Sequence, residues 1–255
     1  MSTHMVIPDT QSKPGVPNDH LRWIGMYLLE KKPDVVIHLG DHWDMPSLSS
    51  YDKGKAAMEG RRYEADVTAG NADFALLTEP LRRSRSSYNP RLVLLRGNHE
   101  NRIQRAIEDN AQLDGAIGFH HLESPGWEVH DFLEVVKIDG VNYSHYFYNP
   151  MTGRPYSGAS IETRLKTIGH SFTMGHQQGL KVGNLPTIGG MRRGLVAGTC
   201  YLHDEQYLGP QGNREWRGII RCNEVQDGDY SLMEVTLDYL CRKYEGVPLN
   251  DFLAQ

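Results

Sequence analysis

Cysteine is scarce in this chain, and its positions are too widely spaced for a paired-thiol motif. Among the 255 residues, three are cysteines, namely Cys200, Cys222 and Cys241. An odd number of cysteines without zinc-binding spacing is typical of a reducing compartment. We therefore expect three free, buried thiols and a cytoplasmic protein.

The sequence also has no long apolar run and no long basic tract. The first apolar run, residues 5–7, is too short for a signal peptide, and no run approaches the roughly 18 apolar residues of a membrane helix. The net charge is −5, whereas a dedicated duplex-DNA binder usually carries a basic stripe. These absences argue against a membrane partner and, more weakly, against a duplex-DNA partner, because an acidic total can hide a local basic cleft.

The composition is that of a folded protein with a sizeable core. Hydrophobic residues make up 39% of the chain and charged residues 23%, which is ordinary for a globular protein. We see neither internal repeats nor low-complexity tracts. A single domain over residues 1–255 is therefore predicted, and its oligomeric state stays open.

Three short apolar runs in the first hundred residues each lead directly to polar residues. The runs cover residues 5–7, 35–39 and 92–95. The polar residues that follow are Asp9, then Asp41 and Asp44, then Asn98 and His99. A helix predicted over 19–32 separates the first two runs, which favours a largely parallel sheet with right-handed crossovers. Because ligands collect at the carboxyl ends of such strands, we expect these polar side chains to converge.

The rest of the chain indicates further helices and a second sheet. Residues 45–90 are polar and predict a helical excursion, with a helix from about 61 to 77 that ends before Pro80. Another helix is expected over 102–113. Further strands are predicted at 132–138, 141–147, 172–174, 218–222 and 230–237, followed by a final polar helix or loop.

The order of the polar motifs resembles the calcineurin-like metallophosphoesterase family. The motifs are GDxxD at residues 40–44, GNHE at 97–100 and GHQQ at 175–178, with a leading Asp9 and a lone His145. The chain is also similar to metallophosphatase-like proteins encoded by bacteriophages, for which the expected location is the host cytoplasm. The resemblance implies an α/β fold in which a two-sheet sandwich is flanked by helices on both sides, giving four layers.

The resemblance further implies two divalent metal ions held close together. Carried over residue by residue, Asp41 bridges the two ions. Asn98, His145 and His176 complete one metal site, and Asp9 belongs to the other.

Two further residues receive catalytic roles from the same resemblance. His99 is expected to donate a proton to the leaving oxygen, and Asp44 is expected to orient His99. A metal-bound hydroxide would attack the phosphorus, because divalent cations lower the pKa of water and stabilise the developing charge.

Glutamine stands at two positions where the family usually has histidine. These positions are Gln11 and Gln178, and in the family both histidines bind the same metal as the residue matching Asp9. Asp9, Gln11, Asp41 and Gln178 would form an all-oxygen site, which suits Mn²⁺ or Mg²⁺ better than Zn²⁺ or Fe. The alternative is a weakly occupied second site.

Several other histidines compete with these assignments. His42 or His20 could replace the missing imidazoles, although nothing in the sequence requires it. His170 also follows a glycine and is the main rival of His176. His145, taken alone, would be interpreted as an ordinary strand histidine.

These residues predict hydrolysis of a phosphate monoester or diester in a small phosphorylated substrate. A nuclease acting on DNA or RNA ends is the first alternative, and a scaffold that kept the fold but lost catalysis is the second. The arginine that follows the second aspartate in protein phosphatases is absent here. Candidate replacements are Lys53, Lys55, Arg61, Arg62, Arg102 and Arg105.

Overall fold

A six-stranded sheet contains the three apolar runs of the N-terminal half. The computed structural model describes residues 1–156, 160–205 and 208–255. The strands of this sheet are β1 (Ser2–Ile7), β2 (Val35–His38), β3 (Arg91–Leu95), β4 (Glu128–His130), β12 (Gly218–Gln226) and β13 (Asp229–Thr236). Their order is β13-β12-β1-β2-β3-β4. Strands β1 to β4 are parallel, whereas β12 pairs antiparallel with both β1 and β13.

A second, five-stranded sheet follows from the middle of the chain. Its strands are β5 (Val136–Ile138), β6 (Val141–Tyr143), β9 (Ser171–Met174), β10 (Leu180–Thr187) and β11 (Gly190–Ala197). They are ordered β10-β11-β9-β6-β5. A small ribbon pairs β7 (Tyr148–Asn149) with β8 (Arg154–Pro155). The parallel β6–β9 pair brings the residues after both strands to the same edge.

Helices cover the outer faces of both sheets. They are α1 (Asp19–Lys31), α2 (Tyr63–Arg83), α3 (Arg102–Asp109), α4 (Ile161–Ile168), α5 (Gly209–Gly212), α6 (Leu237–Glu245) and α7 (Leu249–Leu253). No helix in the described ranges is both long and apolar enough to cross a bilayer.

Successive side chains of the central strands point to opposite faces of the sheet, so the core is divided into layers. Met5 and Ile7 of β1 pack against the helical layer, whereas Val6 faces the second sheet. Phe172 of β9 packs on the far side of that sheet with Leu165 of α4. The predicted α/β sandwich of two sheets flanked by helices is therefore confirmed, as is the helical excursion between β2 and β3.

The predicted end of the second helix is wrong, because α2 continues through Pro80 to Arg83. Proline removes one backbone donor and usually ends a helix. Here Gly25 of α1 lies against this turn, so closely that an added Cβ would lie 2.4 Å from Leu77 O and 2.8 Å from Pro80 Cγ. The last turn of α2 therefore packs closely against α1. Helix propensity alone does not determine where α2 ends.

Three smaller expectations also differ from the structure. The helix after GNHE ends at Asp109 and is followed by a short 3-10 helix, Ala111–Leu113. The expected strand over 132–138 begins only at Val136, and β6 ends at Tyr143, so His145 lies beyond it. The β10–β11 hairpin was not predicted, because β10 is mostly exposed and contains Pro186.

Candidate functional site

The loops that follow β1 and β2 run side by side beyond the sheet. Gln11 N donates to Asp41 O at 2.8 Å, Ser12 N donates to His42 O at 2.7 Å, and Asp44 N donates to Ser12 O at 3.0 Å. These bonds extend the parallel pairing past the strand ends. They place Gln11 next to the first aspartate of the GDxxD motif.

Glu100, the last residue of GNHE, joins the β2 and β3 loops through its buried carboxylate. Its Oε2 atom accepts from the backbone N of Asp41 at 3.0 Å and of Gly97 at 2.7 Å. Its Oε1 atom accepts from the backbone N of His42 at 2.6 Å and of Trp43 at 2.9 Å. The sequence analysis gave Glu100 no role, although it lies within the motif. Four backbone donors on one carboxylate fix the position of Asp41 relative to Asn98.

Two glycines allow the carboxylates to approach the backbone closely. An added Cβ at Gly97 would lie 2.1 Å from Asp41 Oδ1, and one at Gly175 would lie 2.4 Å from Asp9 Oδ1. Neither approach leaves room for a side chain. The glycines that open the GNHE and GHQQ motifs therefore have a steric function at this site.

Three residues at the same edge have left-handed backbone conformations. Gln11 has a φ of 43°, Asp41 of 52° and His176 of 63°. Such conformations are unfavourable for residues with a Cβ and cluster at functional sites in proteins. Three of the predicted ligands thus share an unusual backbone conformation.

Two imidazoles, one carboxylate and one amide converge beyond the strand ends. His145 Nδ1 lies 2.8 Å from Leu39 O, so Nδ1 donates to this carbonyl and Nε2 is directed into the site. Nε2 lies 2.9 Å from Asn98 Oδ1 and 3.3 Å from Asp41 Oδ2. Ligand atoms of Asp41, His145 and His176 all lie within 4.8 Å of one another. A backbone acceptor that fixes one ring nitrogen is the usual support of a metal-binding histidine.

The pKa values in this group show strong mutual electrostatic effects. Burial alone would lower the pKa of His145, but the Asp41 carboxylate raises it to about 9. His176 is exposed at its edge, but desolvation by the surrounding protein lowers its pKa to about 4, and the charge of His145 acts in the same direction. The Asp41 carboxylate therefore stabilises positive charge at the position of His145. A bound cation requires the same electrostatic environment.

Asp9 and Gln11 line the neighbouring position. Asp9 is fully buried, and its Oδ2 atom accepts from His176 N at 2.9 Å. Burial raises the pKa of Asp9 to about 7, and the charge of Asp41 contributes to the rise. Gln11 Oε1 is buried and accepts no hydrogen bond from any described residue. An unsatisfied buried oxygen in the loop that also carries Asp9 fits a divalent cation with oxygen ligands.

His99 and Asp44 form a close pair next to Asp41. His99 Nδ1 lies 2.5 Å from Asp44 Oδ1, and His99 Nε2 lies 3.7 Å from Asp41 Oδ2. Burial alone would lower the pKa of His99, but Asp41 and Asp44 raise it. Arg102 Nη1 donates to Asp44 O at 2.7 Å, and its Nη2 lies 3.3 Å from His99 Nε2. Among the cations considered from the sequence, Arg102 is therefore the one that contacts this pair.

Lys13 connects Asp44 to a segment far along the chain. Its Nζ lies 3.0 Å from Asp44 Oδ2 and 2.6 Å from Glu205 Oε1. Glu205 is buried and also lies 2.7 Å from His203 Nε2. The sequence analysis proposed no role for Lys13 or Glu205, since no local pattern links residues that are 192 positions apart.

A row of aromatic rings borders the imidazole side of the site. The Tyr146 ring lies 4.6 Å from that of His176, 5.6 Å from that of Tyr148 and 5.4 Å from that of Phe132. Tyr148 is 42% exposed. We call Phe132, Tyr146 and Tyr148 the aromatic shelf.

The rival histidines lie elsewhere or are already engaged. His42 Nδ1 lies 2.7 Å from Thr10 Oγ1 and its Nε2 lies 2.9 Å from Gly70 O, so both ring nitrogens are bonded. His170 precedes β9, whereas His176 follows it, and only the latter end reaches His145. His20 is buried in α1. Gln178 lies two residues after His176 in the same loop.

The comparisons with known proteins agree with the motif order. The family model for calcineurin-like phosphoesterases matches residues 3–176. No curated protein matches the chain. One crystal structure aligns over 91% of this chain and 98% of its own, at 10% identity and a TM-score of 0.41, a likeness that carries no argument. The family match supports divalent-metal binding and metal-dependent hydrolysis of phosphate esters in general. The chain belongs to the calcineurin-like phosphoesterase family.

Proposed function

We propose that the protein hydrolyses a phosphate ester of a small substrate at a centre of two divalent metal ions. The convergence of Asp41, His145 and His176, whose ligand atoms lie within 4.8 Å of one another, carries this proposal. Asp41 and His145 are buried, and the bond from His145 Nδ1 to Leu39 O directs Nε2 towards Asp41 and Asn98.

Seven side chains are assigned to the two metal positions. Asp41 would be shared by the two ions, Asn98, His145 and His176 would hold one of them, and Asp9, Gln11 and Gln178 would hold the other. When bound, the ions would lower the pKa of a water molecule and stabilise negative charge on the phosphoryl oxygens.

His99 is the proposed proton donor to the leaving alcohol. Its Nδ1 atom is bonded to Asp44, so Nε2, which lies 3.7 Å from Asp41 Oδ2, is the atom that faces the metal ligands. As the phosphorus–oxygen bond breaks, the departing oxygen takes the proton from Nε2. Asp44 orients the ring and stabilises its charged form, and Arg102 is positioned to contact a phosphate oxygen.

Mn²⁺ is the proposed ion at the position of Asp9 and Gln11. Carboxylate and amide oxygens favour Mn²⁺ and Mg²⁺, whereas the imidazoles of the other position also suit Zn²⁺ or Fe. The support on this side is the buried Gln11 Oε1, which no described residue satisfies.

The test compares a phosphate monoester, a phosphate diester and single-stranded DNA, each with added Mn²⁺, Mg²⁺ or Zn²⁺. We expect hydrolysis of at least one small ester with Mn²⁺. Asp41→Asn should lower its turnover by a factor on the order of 10² or more, because the shared ligand is weakened. The control is Asp109→Asn at the exposed end of α3, which should retain activity.

Circular dichroism and bound-metal analysis accompany each variant, so that misfolding is recognised. Near-natural turnover by Asp41→Asn would remove Asp41 from the centre. Hydrolysis of DNA alone would favour the nuclease alternative, and no hydrolysis with any metal would leave the scaffold alternative.

A further inference from the structure

The aromatic shelf is placed rigidly against the proposed metal ligands. Tyr146 directly follows His145, and its ring packs 4.6 Å from the ring of His176. Ser144 Oγ donates to Tyr146 O at 3.0 Å. Phe147, the next residue, is buried in the core beneath α4, where its ring lies 5.6 Å from that of Phe172. The backbone of the shelf is thus fixed on one side by a ligand and on the other by the core.

The shelf also offers surface to solvent. Tyr148 is 42% exposed, and Tyr146 and Phe132 are partly buried. The Tyr146 and Tyr148 rings lie 5.6 Å apart with an angle of 32° between their planes. Isolated exposed aromatics need no explanation, but these rings form a continuous row that begins at a proposed metal ligand.

Two arginines of α3 lie near the same site, one at the His99–Asp44 pair and one close enough to Tyr146 for its charge to act on that ring. Arg102 and Arg105 are three residues apart on α3 and therefore share a face of that helix. Arg102 contacts the His99–Asp44 pair, and Arg105 is exposed. A ligand reaching from the metal ligands to the shelf would meet cations near its phosphate and flat rings at its other end.

We propose that the aromatic shelf binds the nucleobase of a nucleotide-type phosphate ester whose phosphate lies at the metal centre. The proposal rests on the function proposed above and specifies its substrate class. Aromatic side chains beside a cationic phosphate site are the usual means of binding bases by stacking, which tolerates any base because each has a flat face. A sugar phosphate has no such flat face, so contact with Tyr148 would add little to its binding affinity.

The test measures binding rather than turnover. Adenosine 5′-monophosphate, glycerol phosphate and inorganic phosphate are titrated calorimetrically into the protein with Mn²⁺ present. The natural protein should bind the nucleotide at least about 5-fold more tightly than glycerol phosphate, as expected for one stacked base. Tyr148→Ala should remove most of that difference and leave the affinity for inorganic phosphate unchanged.

Two further variants separate stacking from general disruption. Tyr148→Phe keeps the ring and should retain the preference for the nucleotide. Tyr239→Ala is the matched control, because Tyr239 on α6 is 41% exposed, close to the value for Tyr148, and contacts Tyr27 of α1. It should bind all three ligands like the natural protein.

The outcomes separate this inference from the proposed function. If esters are hydrolysed but the nucleotide binds no more tightly than glycerol phosphate, or Tyr148→Ala weakens all three ligands equally, the shelf is not a base site. If no ester is hydrolysed with any metal, the proposed function fails instead. A short single-stranded oligonucleotide is titrated as the last ligand. If the protein binds it more tightly than the mononucleotide, the base on the shelf belongs to the end of a nucleic-acid strand.

Discussion

At the scale of single residues, Gln11 stands where the resemblance to the family implies a histidine. Its amide oxygen is buried and accepts no hydrogen bond within the ranges that the structure describes. A histidine here would offer a nitrogen ligand, which binds zinc and iron more strongly than an amide oxygen does. Glutamine in place of histidine would therefore change which metal ion binds at this position and how tightly it binds.

We predict that the natural protein retains one metal ion on purification and gains activity when Mn²⁺ is added. The double substitution Gln11→His with Gln178→His should raise the affinity for the second ion by about 10-fold or more, because imidazole replaces two neutral oxygens. Metal analysis and a Mn²⁺ titration of activity measure both effects. Gln112→His, at an exposed position, serves as control. Two tightly bound zinc or iron ions in the natural protein would contradict the prediction.

Most predicted site residues could be found from the sequence because they directly follow predicted strands. Asp9, Asp41 and Asn98 each come shortly after an apolar run, and parallel strands carry such residues to one edge. Glu100 could have been found within its motif, but its function depends on four backbone donors from two loops. No residue pattern reveals where backbone donors point.

At the scale of structural elements, the segment after β11 returns to the site and contributes Glu205. This carboxylate and Asp44 hold Lys13 between them, at 2.6 and 3.0 Å. Without Glu205, Lys13 would be free to move, and the orientation of Asp44 and His99 would be less well defined. The segment therefore acts on the proposed proton donor through two intermediate residues.

We predict that Glu205→Gln lowers kcat about 10-fold, because a residue that supports a catalytic group typically has an effect of this size. KM and metal content should change little, since neither the ligands nor Arg102 contacts Glu205 directly. Steady-state kinetics and metal analysis measure these quantities. Asp204→Asn is the neighbouring control, as Asp204 is 75% exposed and pairs with Arg217. A raised KM with unchanged kcat would instead assign Glu205 to substrate binding.

The central strands could be predicted from their β-branched and apolar residues, but the β10–β11 hairpin could not. Strand β10 is mostly exposed, so it lacks the apolar alternation that identifies a half-buried strand. It is held by eight aligned residue pairs with β11, and β11 in turn pairs with β9, which lies outside the hairpin. The extension of α2 past Pro80 has a similar cause, since α1 packs against that turn.

At the scale of the whole molecule, buried histidines affect stability in acid. His20 is buried in α1 at 2% exposure. Burial lowers its pKa from 6.5 to about 3. Between these two values the unfolded chain binds a proton that the folded protein does not, so the free energy of unfolding falls as the pH decreases below 6.5.

We predict that this one residue lowers the free energy of unfolding by roughly 2 kcal/mol on going from pH 7.5 to pH 5. His20→Leu should flatten the pH dependence by about that amount. Urea unfolding with a chelator present, at several pH values, measures the difference without a contribution from bound metal. His170→Gln, which changes an exposed histidine, should leave the slope as it is. Equal slopes for His20→Leu and the natural protein would contradict the prediction.

The position of β12 has a consequence for synthesis of the protein on the ribosome. Strand β1 lies between β2 and β12, so one of its two neighbours is made more than 200 residues after it. While the chain is emerging, β1 therefore has an unpaired edge, and the loop carrying Asp9 and Gln11 lacks the partner segment that holds Lys13. A chain arrested before β12 would expose a strand edge prone to pairing with other nascent chains. The proposed metal ligands would all have been translated by then, yet their mature arrangement would await the synthesis of β12 and β13.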